Sequence, residues 1–335
     1  MIIKLLKPKV SIIMSVKNGQ KYVSKSIESV IDQSFEKFEF LIMDDGSEDG
    51  TWEILSEKRD KRVRLFRNRL GMGLTKSLNF LLEKCRGEYI ARIDADDLSS
   101  KDRIKIQSQF LDENPDTDLV ASFCRIVDGE DSEITSYCPG YDSISLKWAI
   151  IFRNVIRHST TMWRKKIGIY NEEFLYSQDH EMWSRSKCPA MIKKILADVR
   201  MHPDSITWKK RKEQNEFSIE VTRRQIEHYS KRKIDTDRAK KIKMICLHKT
   251  EKEVQEFKET SKKDIIDSIP IYMDLAKGFI DAHGHNATIL DELCWDFYGL
   301  TKLRPEWKND INIELKCWLD RDEKDFFRQI LARIS

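Results

Sequence analysis

Over the first 127 residues, short apolar runs alternate with stretches whose apolar residues keep helical spacing. Runs at 10–16, 38–43, 63–66, 89–93 and 119–127 read as strands, and 22–33, 51–57, 74–85 and 101–113 as helices. The last helix is expected to stop near Asn114-Pro115, because a proline disfavours helical backbone in the residue before it. Such alternation predicts an α/β fold with a mainly parallel sheet covered by helices. Residues 128–207 are less regular, punctuated by Gly129, Pro139-Gly140, Gly168 and Pro189, as suits a region that wraps the sheet. From about 211 the strand signals vanish. Thr250-x-x-Glu253 and Ser261-x-x-Asp264 resemble capping boxes, and Phe326, Phe327, Ile330, Leu331 and Ile334 keep helical spacing. A boundary near 208–214 follows, giving an α/β domain over 1–210 and a helical one over 211–335.

The candidate chemistry sits where these strands end. Gly87-Glu88-Tyr89-Ile90-Ala91-Arg92-Ile93-Asp94-Ala95-Asp96-Asp97 delivers three carboxylates to the end of a strand. In parallel α/β sheets ligands bind beyond the carboxyl ends of the strands. Oxygen ligands there suit Mg²⁺ or Mn²⁺. Taken alone, Asp-x-Asp is more often a solvated acidic turn than a metal site. Its neighbours change the picture. Pro8 to Asn18 reads as a buried first strand, and Phe38 to Ser47 as a second one ending in another acidic turn, Asp44-Asp45-Gly46-Ser47.

In this order and spacing, the segments from about Pro8 to about Thr207 resemble the family-2 glycosyltransferases, inverting enzymes with the Rossmann-like GT-A fold. The resemblance implies a metal-dependent transfer of a sugar from a nucleotide diphosphate, UDP by preference, to a saccharide or lipid-linked saccharide in surface-polysaccharide assembly. It makes Asp96 the principal ligand of a Mn²⁺ or Mg²⁺ ion, with Asp94 and His202 as further metal contacts. His202 lies in Arg200-Met201-His202-Pro203-Asp204-Ser205, similar to a family His-x-x-Ser segment. Ser15, Asp44, Asp45, Arg92 and Asp94 form the implied nucleotide-sugar site, Asp45 facing a pyrimidine N–H. Tyr176-Ser177-Gln178-Asp179-His180-Glu181-Met182-Trp183 resembles the family's Glu-Asp-Tyr-Asp-Leu-Trp stretch and makes Asp179 the general base. His158 is expected to shape the acceptor pocket, and His283-Gly284-His285 to lie on the surface. Three departures from the family pattern stand out: Ser15-Val16-Lys17-Asn18 in place of Pro-x-Tyr-Asn, Gly71 in place of Asn, and Gln178 in place of Glu. The alternative function is a GT-A-like protein that binds a nucleotide sugar or a partner without catalysis.

Composition narrows the partners. With 335 residues and 40% hydrophobic content the chain can bury a full core and has room for two domains. No apolar run approaches the roughly 20 residues that span a bilayer, and the N-terminus lacks the pattern of a signal peptide. Seven scattered cysteines without a Cys-x-x-Cys pair speak against a zinc site or a disulfide framework and for a reducing cytoplasm. The net charge of +4 is not a nucleic-acid footprint, and no nucleic-acid partner is expected. Residues 209–243 nevertheless hold 13 Lys and Arg against six Asp and Glu. That excess suits either a solvated helical face or peripheral contact with an anionic membrane on its inner face.

Overall fold

The computed structural model describes residues 7–203, 205–246, 255, 257, 259–284 and 287–319. The expected features at Thr250-x-x-Glu253, His285 and 326–334 lie outside the described residues. The chain forms two compact units, one of 1–147 with 154–215 and the other of 148–153 with 216–335.

In the first unit, nine strands among the described residues form one sheet, in the order β3-β2-β1-β4-β8-β6-β9-β5 with β7 paired to β6. β1 (Val10–Val16), β2 (Phe38–Asp44), β3 (Val63–Arg67) and β4 (Tyr89–Arg92) run parallel, with Val10 opposite both Phe38 and Tyr89. Beyond β4 the sheet becomes mixed. β8 (Met162–Arg164) is antiparallel to β4 and to β6 (Leu119–Val127), whereas β9 (Pro189–Arg200) runs parallel to β6. β5 (Leu98–Ser99) and β7 (Glu133–Tyr137) add antiparallel edges. The parallel half is therefore as the sequence suggests. The irregular region 128–207 instead supplies strands, among them the 12-residue β9.

Every residue of β1, β2 and β4 is buried, which is why these strands read as continuous apolar runs. Ile12, Met14, Phe40, Ile42 and Ala91 meet Ile27 of α1 (Val23–Ile31), Leu55 of α2 (Thr51–Glu57) and Ile104 of α4 (Arg103–Glu113) in one core cluster. α3 (Leu74–Lys84) buries Leu78 and Leu81. Removing such a buried side chain, as in Ile12→Ala, costs about 2–5 kcal/mol through lost transfer energy and the cavity left behind.

The second unit is helical over its described residues, with most of the helix Arg211–Ser230 and the helices Thr236–Ile245, Lys262–Ile266, Ile269–His283, Ala287–Leu303 and Lys308–Leu319. Ser261 Oγ accepts the Asp264 N–H at 3.2 Å and caps the helix that follows, as its capping-box pattern suggests. Tyr272, Phe279 and Phe297 are buried among these helices, and Trp148 packs edge-on to Phe279 with ring centroids 5.1 Å apart. Gly278 has no room for a side chain, because a Cβ there would meet the Tyr229 carbonyl oxygen at 2.0 Å. Among the described residues no helix is long and apolar enough to cross a membrane.

Candidate active site

Asp44, Asp45, Arg92 and Asp94 come together because β1, β2 and β4 are adjacent and end at one edge. The Asp45 N–H donates to the Val16 carbonyl at 2.8 Å, and the Ile93 N–H to the Ile13 carbonyl at 3.2 Å, so the turns after β2 and β4 are fastened to β1. Asn18 makes the next tie, its N–H donating to Ser47 Oγ at 2.9 Å and its Oδ1 accepting the Glu48 N–H at 2.9 Å. Ser15 is buried near the end of β1. Asp44 Oδ1 accepts the Ser47 N–H at 3.0 Å, and Arg67 pairs with its carboxylate at 3.1 Å.

Both Asp45 oxygens receive backbone N–H groups, from Met72 at 2.7 Å and from Gly73 at 2.8 Å. A carboxylate has about four lone-pair sites, so this grip leaves acceptor capacity for one further N–H. The clasped loop carries Gly71 at φ +72°, and a Cβ there would lie 3.2 Å from the Asp45 carbonyl oxygen. Asparagine tolerates positive φ better than most residues, which accounts physically for Gly and Asn as alternatives at this position.

Asp94 is held between opposite partners: Arg92 pairs with Oδ1, and Ser159 Oγ donates to Oδ2 at 3.1 Å. Burial alone would raise the Asp94 pKa, but the charges of Arg92 and Arg103, with the Ser159 hydrogen bond and the nearby His158, together outweigh it and hold the carboxylate below its usual range. Asp97 goes the other way, raised well above that range by burial and then by the charges of Asp96 and Asp94. Its Oδ1 accepts the Arg200 N–H at 2.7 Å, which ties the acidic turn to the end of β9.

The same tie brings His202 to Asp96. Arg200 Nε donates to the Asp96 carbonyl at 2.8 Å, its guanidinium lies over the Tyr22 ring at 4.6 Å, and His202 Nε2 sits 2.9 Å from Asp96 Oδ2. Among the described residues no group of three or more His, Cys, Asp or Glu side chains forms a cage for a metal ion. Asp96 and His202, both partly exposed, are two adjacent donors. That set fits a cation that completes its coordination with substrate phosphates and water. Asp94, with both oxygens engaged by Arg92 and Ser159, fits a role beside such a site better than one inside it.

Asp179 is the second residue of α6 (Gln178–Ser184), whose N-cap Ser177 adopts a left-handed conformation at φ 55°. Its Oδ1 accepts the His180 N–H at 2.8 Å and its Oδ2 the Asn154 side-chain amide at 2.6 Å. Burial raises its pKa; the two hydrogen bonds oppose the rise and the Asp94 charge adds to it. His158 Nε2 lies 2.8 Å from the Tyr170 hydroxyl, and burial with the nearby Arg92 charge lowers the imidazole to about 3. His158 is therefore neutral at ordinary pH, and His283 sits against the Tyr229 hydroxyl at 2.9 Å. Sequence reading missed Asn154, Ser159, Tyr170 and Arg200, which stand outside the acidic motifs they serve. Arg200 alone carried a signal, two residues before His202.

Carboxylates gathered past the ends of parallel strands, on a sheet that turns mixed beyond β4, fit the GT-A class of fold. Residues 11–173 match the model of Glycosyl transferase family 2. An uncharacterized glycosyltransferase of Haemophilus influenzae is 30% identical over 242 residues, covering 66% of this chain and 74% of that protein. The O-antigen biosynthesis glycosyltransferase WbnJ of Escherichia coli is 28% identical over 212 residues, 58% of this chain and 81% of WbnJ. Among solved structures, S. aureus TarS 1–349 in complex with UDP has a similar fold, with TM-score 0.55 and 16% identity over 94% of this chain and 93% of that one. The chain belongs to glycosyl transferase family 2 and is a glycosyltransferase.

Proposed function

We propose that this glycosyltransferase moves a sugar, with inversion, from a UDP-sugar to a hydroxyl of a saccharide or lipid-linked saccharide in surface-polysaccharide assembly. The observation that carries the reading is the contact between Asp96 and His202, 106 positions apart in sequence, beside the turns that end β1, β2 and β4. The UDP bound to TarS and the O-antigen role of WbnJ support the donor and the pathway.

In this reading Asp45 and Ser15 face the base, and Arg92 holds Asp94 ionised toward the ribose or sugar. Asp96 and His202 would hold Mn²⁺ or Mg²⁺, which when bound supplies Lewis-acid neutralisation of the leaving diphosphate. Asp179 takes the proton of the acceptor hydroxyl as its oxygen attacks the anomeric carbon opposite the diphosphate. The bond from that carbon to the phosphate oxygen breaks, and UDP leaves with the electron pair. A carboxylate of raised pKa is a better base than an ordinary one, provided it is ionised at the working pH. Asn154 and the His180 N–H fix its orientation.

The test is nucleotide release from UDP-, GDP- and dTDP-sugars, measured with Mn²⁺ and with EDTA. Release from UDP-sugars that EDTA suppresses is expected. Turnover confined to GDP- or dTDP-sugars would overturn the donor assignment, and tight UDP binding with no turnover on any donor would favour the non-catalytic alternative.

A further inference from the structure

The helical unit contains a cleft of about 520 Å³, within the roughly 300–1,000 Å³ range of small-ligand sites. Trp148 and Phe152 line it as buried side chains, and its polar groups are Arg153, Glu292, Asp296 and Lys302. Trp295 and Tyr298 also line it, and they are 68% and 48% exposed, with ring centroids 5.6 Å apart in an edge-to-face arrangement. A second cleft of about 250 Å³ uses the same two rings together with Asp291 and Cys294. On a helix, 292, 296 and 299 share one face and 291, 294 and 298 the neighbouring one. The two aromatic side chains therefore form a ridge between two clefts.

We infer that this ridge and its clefts form a saccharide-binding site, distinct from the donor site and engaging a neutral oligosaccharide of two or more residues. Three features carry the inference. A pyranose ring presents an apolar C–H face and a rim of hydroxyls, and exposed Trp and Tyr rings match such an amphipathic plate. The two carboxylates accept hydroxyl hydrogens while Arg153 and Lys302 donate to hydroxyl oxygens, so the polar set reads both sides of a hydroxyl pair. Asp296 is already oriented, its Oδ2 accepting the Tyr272 hydroxyl at 2.5 Å. The two cations and two carboxylates of the larger cleft balance, and Asp291 in the smaller one adds a third carboxylate, so the site favours an uncharged ligand over a phosphate. The adjoining clefts extend the site past a single sugar. The occupant's identity as a saccharide of the acceptor class rests on the proposed function; the groove itself does not.

The test uses the full chain and saturation-transfer NMR with trimers of glucose, galactose, mannose and N-acetylglucosamine, alongside titration with UDP. Wild type is expected to bind at least one trimer. Trp295→Ala with Tyr298→Ala should weaken that binding tenfold or more, while UDP affinity and melting temperature stay as they were; Glu292→Gln should weaken it less. Trimer binding without UDP binding would keep the groove and remove the donor assignment. Trimer binding unchanged in the double variant would overturn the inference, as would UDP binding with none of the trimers bound. It would equally be overturned if the two rings bound phosphatidylglycerol vesicles and no saccharide.

Discussion

In the proposed mechanism Asp179 is the general base, and turnover is most exposed to a change there. Asp179→Asn keeps the side-chain shape and removes the base, so turnover should fall by about 10²-fold or more while UDP affinity holds. A collapse of UDP affinity instead would make Asp179 a binding residue. Its pH behaviour follows from the direction of its shift. Because burial raises its pKa, kcat/KM should fall with acid at a pH above the ordinary carboxylate range, as the base becomes protonated. The Asn154 hydrogen bond opposes that rise. Asn154→Ala should therefore move the acid limb to still higher pH and lower turnover; an unmoved limb would show that the amide does not act on the base. Asp44, Asp45, Asp94 and Asp96 were legible in the sequence because they follow strands, and Asp179 because of the motif around it. Asn154 was not, since one polar residue between Arg153 and Val155 gives no sign of the carboxylate, 25 positions away, that it will meet.

At the scale of elements, β1, β2 and β4 were legible because burial on both faces makes them mostly apolar runs. β9 was not. Its burial alternates poorly, with Lys193, Lys194 and Ile195 exposed together, and its register with β6 shifts around Phe123. A strand broken in register loses the period-two signal on which sequence reading depends. Glu39 shows the converse, a charge hidden inside an apolar strand. Only 2% exposed on β2, it accepts from Ser11 Oγ at 2.7 Å and the Arg86 N–H at 2.6 Å, and it pairs with Arg64 at 2.7 Å. Glu39→Ala should cost about 3–5 kcal/mol, because the donors gathered around the carboxylate are left unanswered. Burial would raise the Glu39 pKa, yet its hydrogen bonds together outweigh burial and hold it below the usual value. The stabilisation is thus fully present above the unfolded pKa and is lost as pH falls through the lower folded one. Urea midpoints from pH 7 down to pH 3 should converge for wild type and Glu39→Gln. A constant gap would contradict this origin.

At the scale of the whole molecule, ion pairs hold six of the 13 basic side chains over 209–243, although only Asp264 and Asp274 among their partners lie outside the stretch. Arg223 and Arg224 pair with Glu220, Lys233 with Glu227, Lys210 with Glu213 and Lys241 with Asp237 and Asp264. Arg232 adds a pair with Asp274. Exposed pairs of this kind contribute little stability each, about 0–1 kcal/mol, but they reduce the charge available to an anionic lipid surface. If the stretch is a solvated helical face, Lys240→Glu should change co-sedimentation with phosphatidylglycerol vesicles by less than about twofold at low salt, against the roughly 1 kcal/mol per cation of true electrostatic docking. A larger, salt-sensitive loss would establish membrane contact through this stretch. The central claim concerns the other unit: that Asp96 and His202 close a donor site at the edge where β1, β2 and β4 end. Its most direct test is calorimetric titration of UDP into wild type and Asp96→Ala, each with Mn²⁺ and with EDTA. Mn²⁺ is expected to strengthen UDP binding at least tenfold in wild type and to have no effect in Asp96→Ala; equal UDP affinity in all four titrations would contradict the assignment.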